Sequence, residues 1–183
     1  FAASGGLGDV MGALPLAVKE EGVEASVIMP LYDTMKEEYR CKLEKVIDIS
    51  FNLSWRQSGA TIFKIPHGGV DYYFVENHRY FDRGRLYGEF DDAERFAAFS
   101  KAVIEFMIQG GYTPDILHAN DWQAALTVIY LKTEFAGHPA LSGIKTVYTI
   151  HNIEYQGKYG FDVLGDVFGI NGNYAGILEY DGC

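Results

Sequence analysis

Three clusters of polar residues in this sequence are spaced in ways that suit chemistry on a phosphorylated or hydroxylated ligand. The first is Ser4-Gly5-Gly6-Leu7-Gly8-Asp9, at the head of an apolar-periodic run. Glycine opens positive φ and removes the side chain that would keep a ligand away from the backbone. A helix that starts there presents unpaired N–H groups and a partial positive charge, which together hold a phosphate. Gly5 and Gly6 are therefore candidate donors to an anion and Asp9 a candidate partner for a hydroxyl, with a plain turn as the alternative. The spacing is neither the dinucleotide fingerprint nor the phosphate-binding P-loop. The second cluster is His118-Ala119-Asn120-Asp121-Trp122, and the third is Thr149-Ile150-His151-Asn152 with Gln156-Gly157 behind it. Each closes a short β-rich stretch, and open α/β sheets bind ligands at the carboxyl ends of their strands. Asp121 reads as the N-cap of the next helix, a role that alone explains it, or as a ligand group. His118 reads as a buried, hydrogen-bonded histidine rather than a base. No metal-ligand spacing of the H-x-x-x-H or D-x-D kind is convincing.

The elements that must position these clusters follow from periodicity and punctuation. A helix is expected over residues 7–20, with Leu14 and Val18 on one face, Pro15 allowing a kink or an early end, and Gly22 as the stop. A strand over residues 24–29 ends at Pro30, so turn, helix and strand make half of a βαβ unit whose first strand lies upstream of Phe1. A second helix is expected over 34–41. Residues 45–53, 61–66 and 70–76 are β-rich, with turns at Asn52-Leu53-Ser54-Trp55 and His67-Gly68-Gly69, the latter a hairpin in which His67 is solvated. Residues 80–88 read as a loop. Asp91 and Glu94 resemble a capping box ahead of a long helix with Phe96, Phe99, Val103, Phe106 and Met107 on one core face, ended by Gly110-Gly111. A buried strand at 115–118, a helix at 122–135 and a strand from Lys145 complete the order, and residues 158–183 carry no clear period. The pattern predicts an α/β domain with a mainly parallel sheet and an inserted β-meander.

Composition narrows the class. The chain has 183 residues, 48% hydrophobic and 22% charged, enough for one domain with a substantial core. Fifteen Lys and Arg against twenty-five Asp and Glu give a net charge of −10, which argues against nucleic acid as a partner. No apolar run is long enough for a membrane span, and no signal-peptide pattern follows Phe1. Cys41 and Cys183 read as free thiols and fit a reducing compartment.

Taken together, Phe1-Ala2-Ala3-Ser4-Gly5-Gly6-Leu7-Gly8-Asp9-Val10, the Phe81-Asp82-Arg83 to Tyr87 stretch, Pro114-Asp115-Ile116-Leu117-His118-Ala119-Asn120-Asp121-Trp122 and Thr149-Ile150-His151-Asn152-Ile153-Glu154-Tyr155-Gln156-Gly157 resemble the bacterial glycogen synthases and plant starch synthases. These are the glucosyltransferases that use ADP-glucose. The resemblance implies a GT-B fold, of which residues 1–183 are the Rossmann-like N-terminal, acceptor-side domain, truncated at both ends. It implies reaction in the cleft with the protein's own C-terminal nucleotide-binding domain, which this stretch lacks, so that the fragment alone is expected to be inactive.

The implied reaction moves glucose from ADP-glucose to the non-reducing end of an α-1,4-glucan with retention, using no cofactor and no metal, in the cytoplasm or, in a plant, the plastid. The implied site residues are His151 beside the anomeric carbon and Asp121 as catalytic groups. Gly5, Gly6, Asp9, Tyr87, Asn152 and Gln156 are implied as substrate-binding groups, with Tyr87 against the nucleotide base. Read without the resemblance, Tyr87 simply packs on the surface.

One departure stands out within these stretches. The family's lysine before the glycines falls at position 3, where this chain has Ala3, removing one cation from the phosphate site. Three other readings compete. A non-catalytic glucan-binding module predicts aromatic platforms on an exposed face and no dependence on nucleotide. A nicotinamide-dependent Rossmann enzyme requires a glycine spacing that is absent. A sucrose- or UDP-glucose-dependent relative is the third, since base specificity is not readable from these residues.

Overall fold

In the computed structural model, Phe1 and residues 5–183 are described; Ala3 and Ser4 lie outside the described residues. The chain divides into two units, Phe1–Ile49 with Gly59–Gly88, and Ser50–Ser58 with Glu89–Cys183.

The first unit is built on helix α1 (Gly5–Glu20) and a mixed sheet. The helix begins at Gly5, so the glycines expected to form a turn are already in its first turns. Gly6 has ordinary helical space around it, and a Cβ there would meet nothing within 4 Å. Pro15 does not end the helix, which runs on to Glu20 and closes where Gly22, at φ 82°, donates its N–H to the Lys19 carbonyl at 2.9 Å. Strand β1 (Ser26–Pro30) pairs in parallel with β4 (Val70–Glu76) from Ser26↔Asp71 to Pro30↔Val75. Between them in sequence come the single turn α2 (Glu37–Arg40), shorter than expected, and strands β2 (Glu44–Leu53) and β3 (Arg56–His67). The sheet order is β1-β4-β3-β2, with β3 and β4 antiparallel.

Because β4 is interior, Tyr72 to Val75 are buried on both faces, and the strand reads as a continuous apolar run. His67 pairs with Val70, leaving Gly68 and Gly69 as a two-residue turn at φ 59° and 78°, the hairpin geometry that favours glycine at both positions. α1 sits over this turn. A Cβ on Gly68 would come within 2.8 Å of a Leu16 methyl, and Lys19 donates to the Gly69 carbonyl. The core beneath is Val27, Leu31, Met35, Val70, Tyr72 and Phe74. The stretch expected as a loop at residues 80–88 opens with a helical turn, α3 (His78–Phe81), capped by Asn77 accepting from the Tyr80 N–H at 3.2 Å; Tyr80 and Phe81 are buried.

The second unit is organised on α4 (Asp92–Gln109), whose aromatic stripe is buried as the spacing predicts. Its burial continues round the polar side: Arg95 pairs with Asp92 at 2.5 Å, and Lys101 bonds Glu134 while its ammonium lies over Tyr130 (4.4 Å) and Phe135 (5.0 Å). The capping box does not form, since Asp91 makes no side-chain cap bond and Glu94 faces Arg56 instead at 3.8 Å. α4 packs along α5 (Asp121–Lys132), and α5 covers the parallel pair β5 (Ile116–Asn120) and β6 (Lys145–Thr149). Their register runs from Ile116↔Lys145 to Asn120↔Thr149, a βαβ unit. β5 was expected to be buried, yet only Ala119 is. The short helices α6 (Asp162–Asp166) and α7 (Ala175–Leu178) flank a 3-10 turn at Gly172–Tyr174. Among the described residues no helix is long and apolar enough to cross a membrane.

Candidate active site

Parallel pairing with Asn120 opposite Thr149 puts the second and third polar clusters side by side at the carboxyl ends of β5 and β6. The two clusters are tied together by direct bonds. The Asp121 carboxylate accepts from the backbone N–H of His151 at 2.7 Å. The Asn120 amide oxygen meets His151 Nε2 at 3.0 Å, while its amide nitrogen donates to the His118 carbonyl at 3.3 Å. With the amide oriented in this way, Nε2 is the donor of this pair. His118 Nε2 and the Thr149 hydroxyl lie 2.7 Å apart across the strands. His118 is therefore hydrogen-bonded as expected, but it is exposed rather than buried.

Asp121 corrects a second expectation. It does not act as the N-cap: Asn120 takes that position without a side-chain cap bond, and Asp121 is the first helical residue. Its backbone sits at φ 56°, in the left-handed region, and the residue is 8% exposed. A non-glycine residue held there costs about 1–3 kcal/mol, and such strain gathers at sites that need a fixed geometry. Here the strained backbone turns the carboxylate away from its own helix and toward the His151 peptide. That negative charge, together with burial, also pushes the Tyr148 hydroxyl above its ordinary pKa, burial being the larger cause.

The loop beyond His151 is braced from within. Asn152 accepts from the Glu154 N–H at 3.0 Å, and Gln156 donates to the Ile153 carbonyl at 2.8 Å. Each therefore has one polar end occupied locally and the other, Asn152 Nδ2 and Gln156 Oε1, turned to neither of these bonds. Gly157, at φ 62°, lies so close on the Trp122 indole that a Cβ would come within 2.5 Å of it. Trp122 meets Phe96 and Tyr159 with ring centroids at 5.1 and 6.1 Å. An apolar cavity of about 270 Å³ is lined by Trp122, Tyr148, Gln156, Tyr159 and Phe168 among others. Tyr159, facing it, is held neutral, its pKa pushed up to about 12 by burial and then by Asp92.

In the first unit, Gly5 and Gly6 begin α1 and Asp9 is exposed one turn on. Tyr87 is 45% exposed in the bends after α3, where Gly84 donates to both oxygens of Asp33 at 3.1 and 2.9 Å. Arg83 uses its Nε on the Arg79 carbonyl at 2.8 Å. The structure thus joins Asp121 to His151 directly and puts Asn152 and Gln156 on the loop that follows. Asn120 is the residue that sequence reasoning passed over. The signal was its place at the end of a strand in register with a second polar strand end.

A family model described as the starch synthase catalytic domain matches residues 1–183. A glycogen synthase of Streptococcus mutans is 43% identical, covering 100% of this chain and 39% of that protein. A glycogen synthase of Clostridium novyi is 40% identical, covering 95% of this chain and 36% of the relative. The chain thus spans little more than a third of the curated relatives it matches. Among solved structures, the catalytic domain of starch synthase IV from Arabidopsis thaliana, bound to ADP and acarbose, superposes with a TM-score of 0.85 at 31% identity, covering 94% of this chain and 35% of the other.

Proposed function

The chain belongs to the starch synthase catalytic domain family, and we propose that it is the N-terminal, acceptor-side part of a retaining GT-B glucosyltransferase. The reaction moves glucose from ADP-glucose to the non-reducing end of an α-1,4-glucan, and the protein's own C-terminal domain supplies the rest of the nucleotide site. A donor of this kind is supported by the starch synthase relative that carries ADP and acarbose. The free thiols Cys41 and Cys183 support a reducing compartment, the cytoplasm or a plant plastid.

The observation that carries this reading is the bond from the His151 peptide to the Asp121 carboxylate. As the glycosidic bond to the departing ADP stretches, the sugar ring gains oxocarbenium character, and a fixed electron-rich oxygen stabilises it without reorganising. We assign that part to the His151 backbone carbonyl, with Asp121 holding the backbone N–H of the same residue and Asn120 holding its ring. Asn152 Nδ2 and Gln156 Oε1 suit sugar hydroxyls. Negative charge on the departing diphosphate suits the backbone N–H groups of Gly5 and Gly6 in the first turn of α1. Asp9 is assigned to a hydroxyl and Tyr87 to the base.

The test is glucose transfer from ADP-glucose to glycogen by the full-length protein, beside the His151→Ala and Ala3→Lys variants. The expected result is transfer that falls by about 100-fold in His151→Ala, which keeps the backbone carbonyl but loses the ring held by Asn120, so that the carbonyl is no longer fixed in place. Ala3→Lys is expected to lower the KM for the donor by restoring a cation near its phosphates. No transfer from the parent with either ADP-glucose or UDP-glucose would overturn the assignment.

A further inference from the structure

The β2–β3 hairpin tip, within the second unit, carries an aromatic ring that the reaction above does not use. Trp55 is 73% exposed, yet it is fixed on two sides. Its indole N–H donates to Asp166 Oδ1 at 2.8 Å, and the Arg56 guanidinium lies 4.4 Å from the ring centroid. Arg56 is anchored in turn, donating to the Asp166 carbonyl at 2.6 Å and to Asp166 Oδ2 at 3.0 Å, with Glu94 at 3.8 Å from its Nε. The chain beneath is equally constrained: Ser54 is left-handed at φ 56°, and a Cβ on Gly169 would approach its backbone nitrogen to 3.0 Å. The hydrogen bonds from Trp55 and Arg56 hold the Asp166 carboxyl below the usual carboxylate range, so the clamp is charged at neutral pH.

We propose that Trp55 is a stacking platform for a neutral α-glucan, a binding site separate from the one that carries His151. A flat ring held in place offers its open face at low entropic cost, and the C–H face of a pyranose is the apolar, slightly positive surface that suits an indole. The charges around it are Arg56 against Asp166 and Glu94, a net negative set that disfavours phosphates and nucleotides and tolerates an uncharged ligand. Asn52, Ser54 and Gln57, beside it in the sequence, are polar. They suit sugar hydroxyls and fit poorly with the apolar centre of a protein interface. The choice of glucan rests on the glucosyltransferase reading, since a polymer being extended has many rings to offer a site of this kind.

The experiment uses the full-length protein with glycogen and maltotriose as probes. Retardation in a native gel containing glycogen reads binding, and transfer kinetics on the two acceptors read catalysis. Trp55→Ala is expected to weaken retardation by about three- to tenfold, the range of one aromatic contact. It should raise the apparent KM for glycogen and leave kcat on maltotriose unchanged, and Trp55→Phe should keep most of the binding. Should Trp55→Ala fail to fold by circular dichroism, Asp166→Ala, which frees the ring edge, takes its place with a smaller expected loss.

Equal retardation of Trp55→Ala and the parent, or no retardation of the parent, overturns the proposal. A change in molecular mass on size exclusion with unaltered glycogen binding also overturns it and makes the platform an interface between copies. Absence of transfer in the parent sinks the enzymatic reading, whereas the retardation result still decides the role of Trp55.

Discussion

At the scale of single residues, the oxygen of Asp121 that accepts from His151 is separable from its charge. Asparagine offers the same acceptor and tolerates the left-handed backbone at φ 56°, whereas alanine does neither. Asp121→Asn is thus expected to fold nearly as well as the parent, with a reduced kcat. Asp121→Ala loses a charge-assisted hydrogen bond and adds backbone strain, costing about 2–4 kcal/mol. Urea denaturation separates the two; equal stability for both variants would show that the carboxylate does not hold the loop. This contact was not legible in the sequence. Asp121 and His151 are 30 positions apart, and only the register of β5 on β6 makes them neighbours. The motif named both residues, but helix-capping statistics pointed Asp121 at its own helix. The positive φ reverses that direction, and no local pattern announces it.

At the scale of elements, what the sequence made legible was whatever repeats. The α4 stripe, the buried run of β4 and the Gly68-Gly69 hairpin were readable because each depends on residues close together in the chain. The start of α1 was not, because glycine is compatible with both a turn and a helix, and the packing of Leu16 and Lys19 against the hairpin favours the helix. The burial of Lys101, on the polar side of α4, has no local sign in the sequence, because its partner Glu134 lies beyond α5. That pair gives a contrast at element scale. Glu134→Ala leaves an ammonium that is 3% exposed facing Tyr130 and Phe135 without its counter-ion, and is expected to cost about 2–3 kcal/mol. Lys101→Met removes the charge along with its need for a partner and should change stability by less than about 1 kcal/mol. A fall of equal size in both, measured as the midpoint of thermal unfolding, would mean that packing and not charge sets the cost.

At the scale of the whole chain, the excess of acid sets how stability responds to pH and salt. The His78 pKa is raised, first by its bond to Asp82 and then by Glu76, so its contribution is full below about 6.5 and fades as pH rises through the folded value. Asp48 and Asp166 are lowered by their hydrogen bonds to Lys45 and Thr61 and to Trp55 and Arg56. Their contribution is present above about 4 and is lost as pH falls through the folded values. Self-repulsion is least near the sequence pI of about 4.9 and grows toward the −10 charge of neutral pH. Thermal stability is therefore expected to peak between about pH 5 and 6.5 and to decline toward pH 8, where added salt recovers part of the loss by screening. A midpoint that rises steadily from pH 6 to 8 at low salt would contradict this balance.

The two tryptophans give the molecule a further property. Trp55 is mostly open to water, while Trp122 is half-buried among Phe96, Tyr159 and the backbone of Gly157. One should emit at long wavelength and yield to an aqueous quencher, and the other at short wavelength, shielded from it. A single fluorescence titration thus resolves two events. A glucan settling on the hairpin tip changes the red, quenchable component, and any shift of the 151–157 loop across the indole changes the blue one.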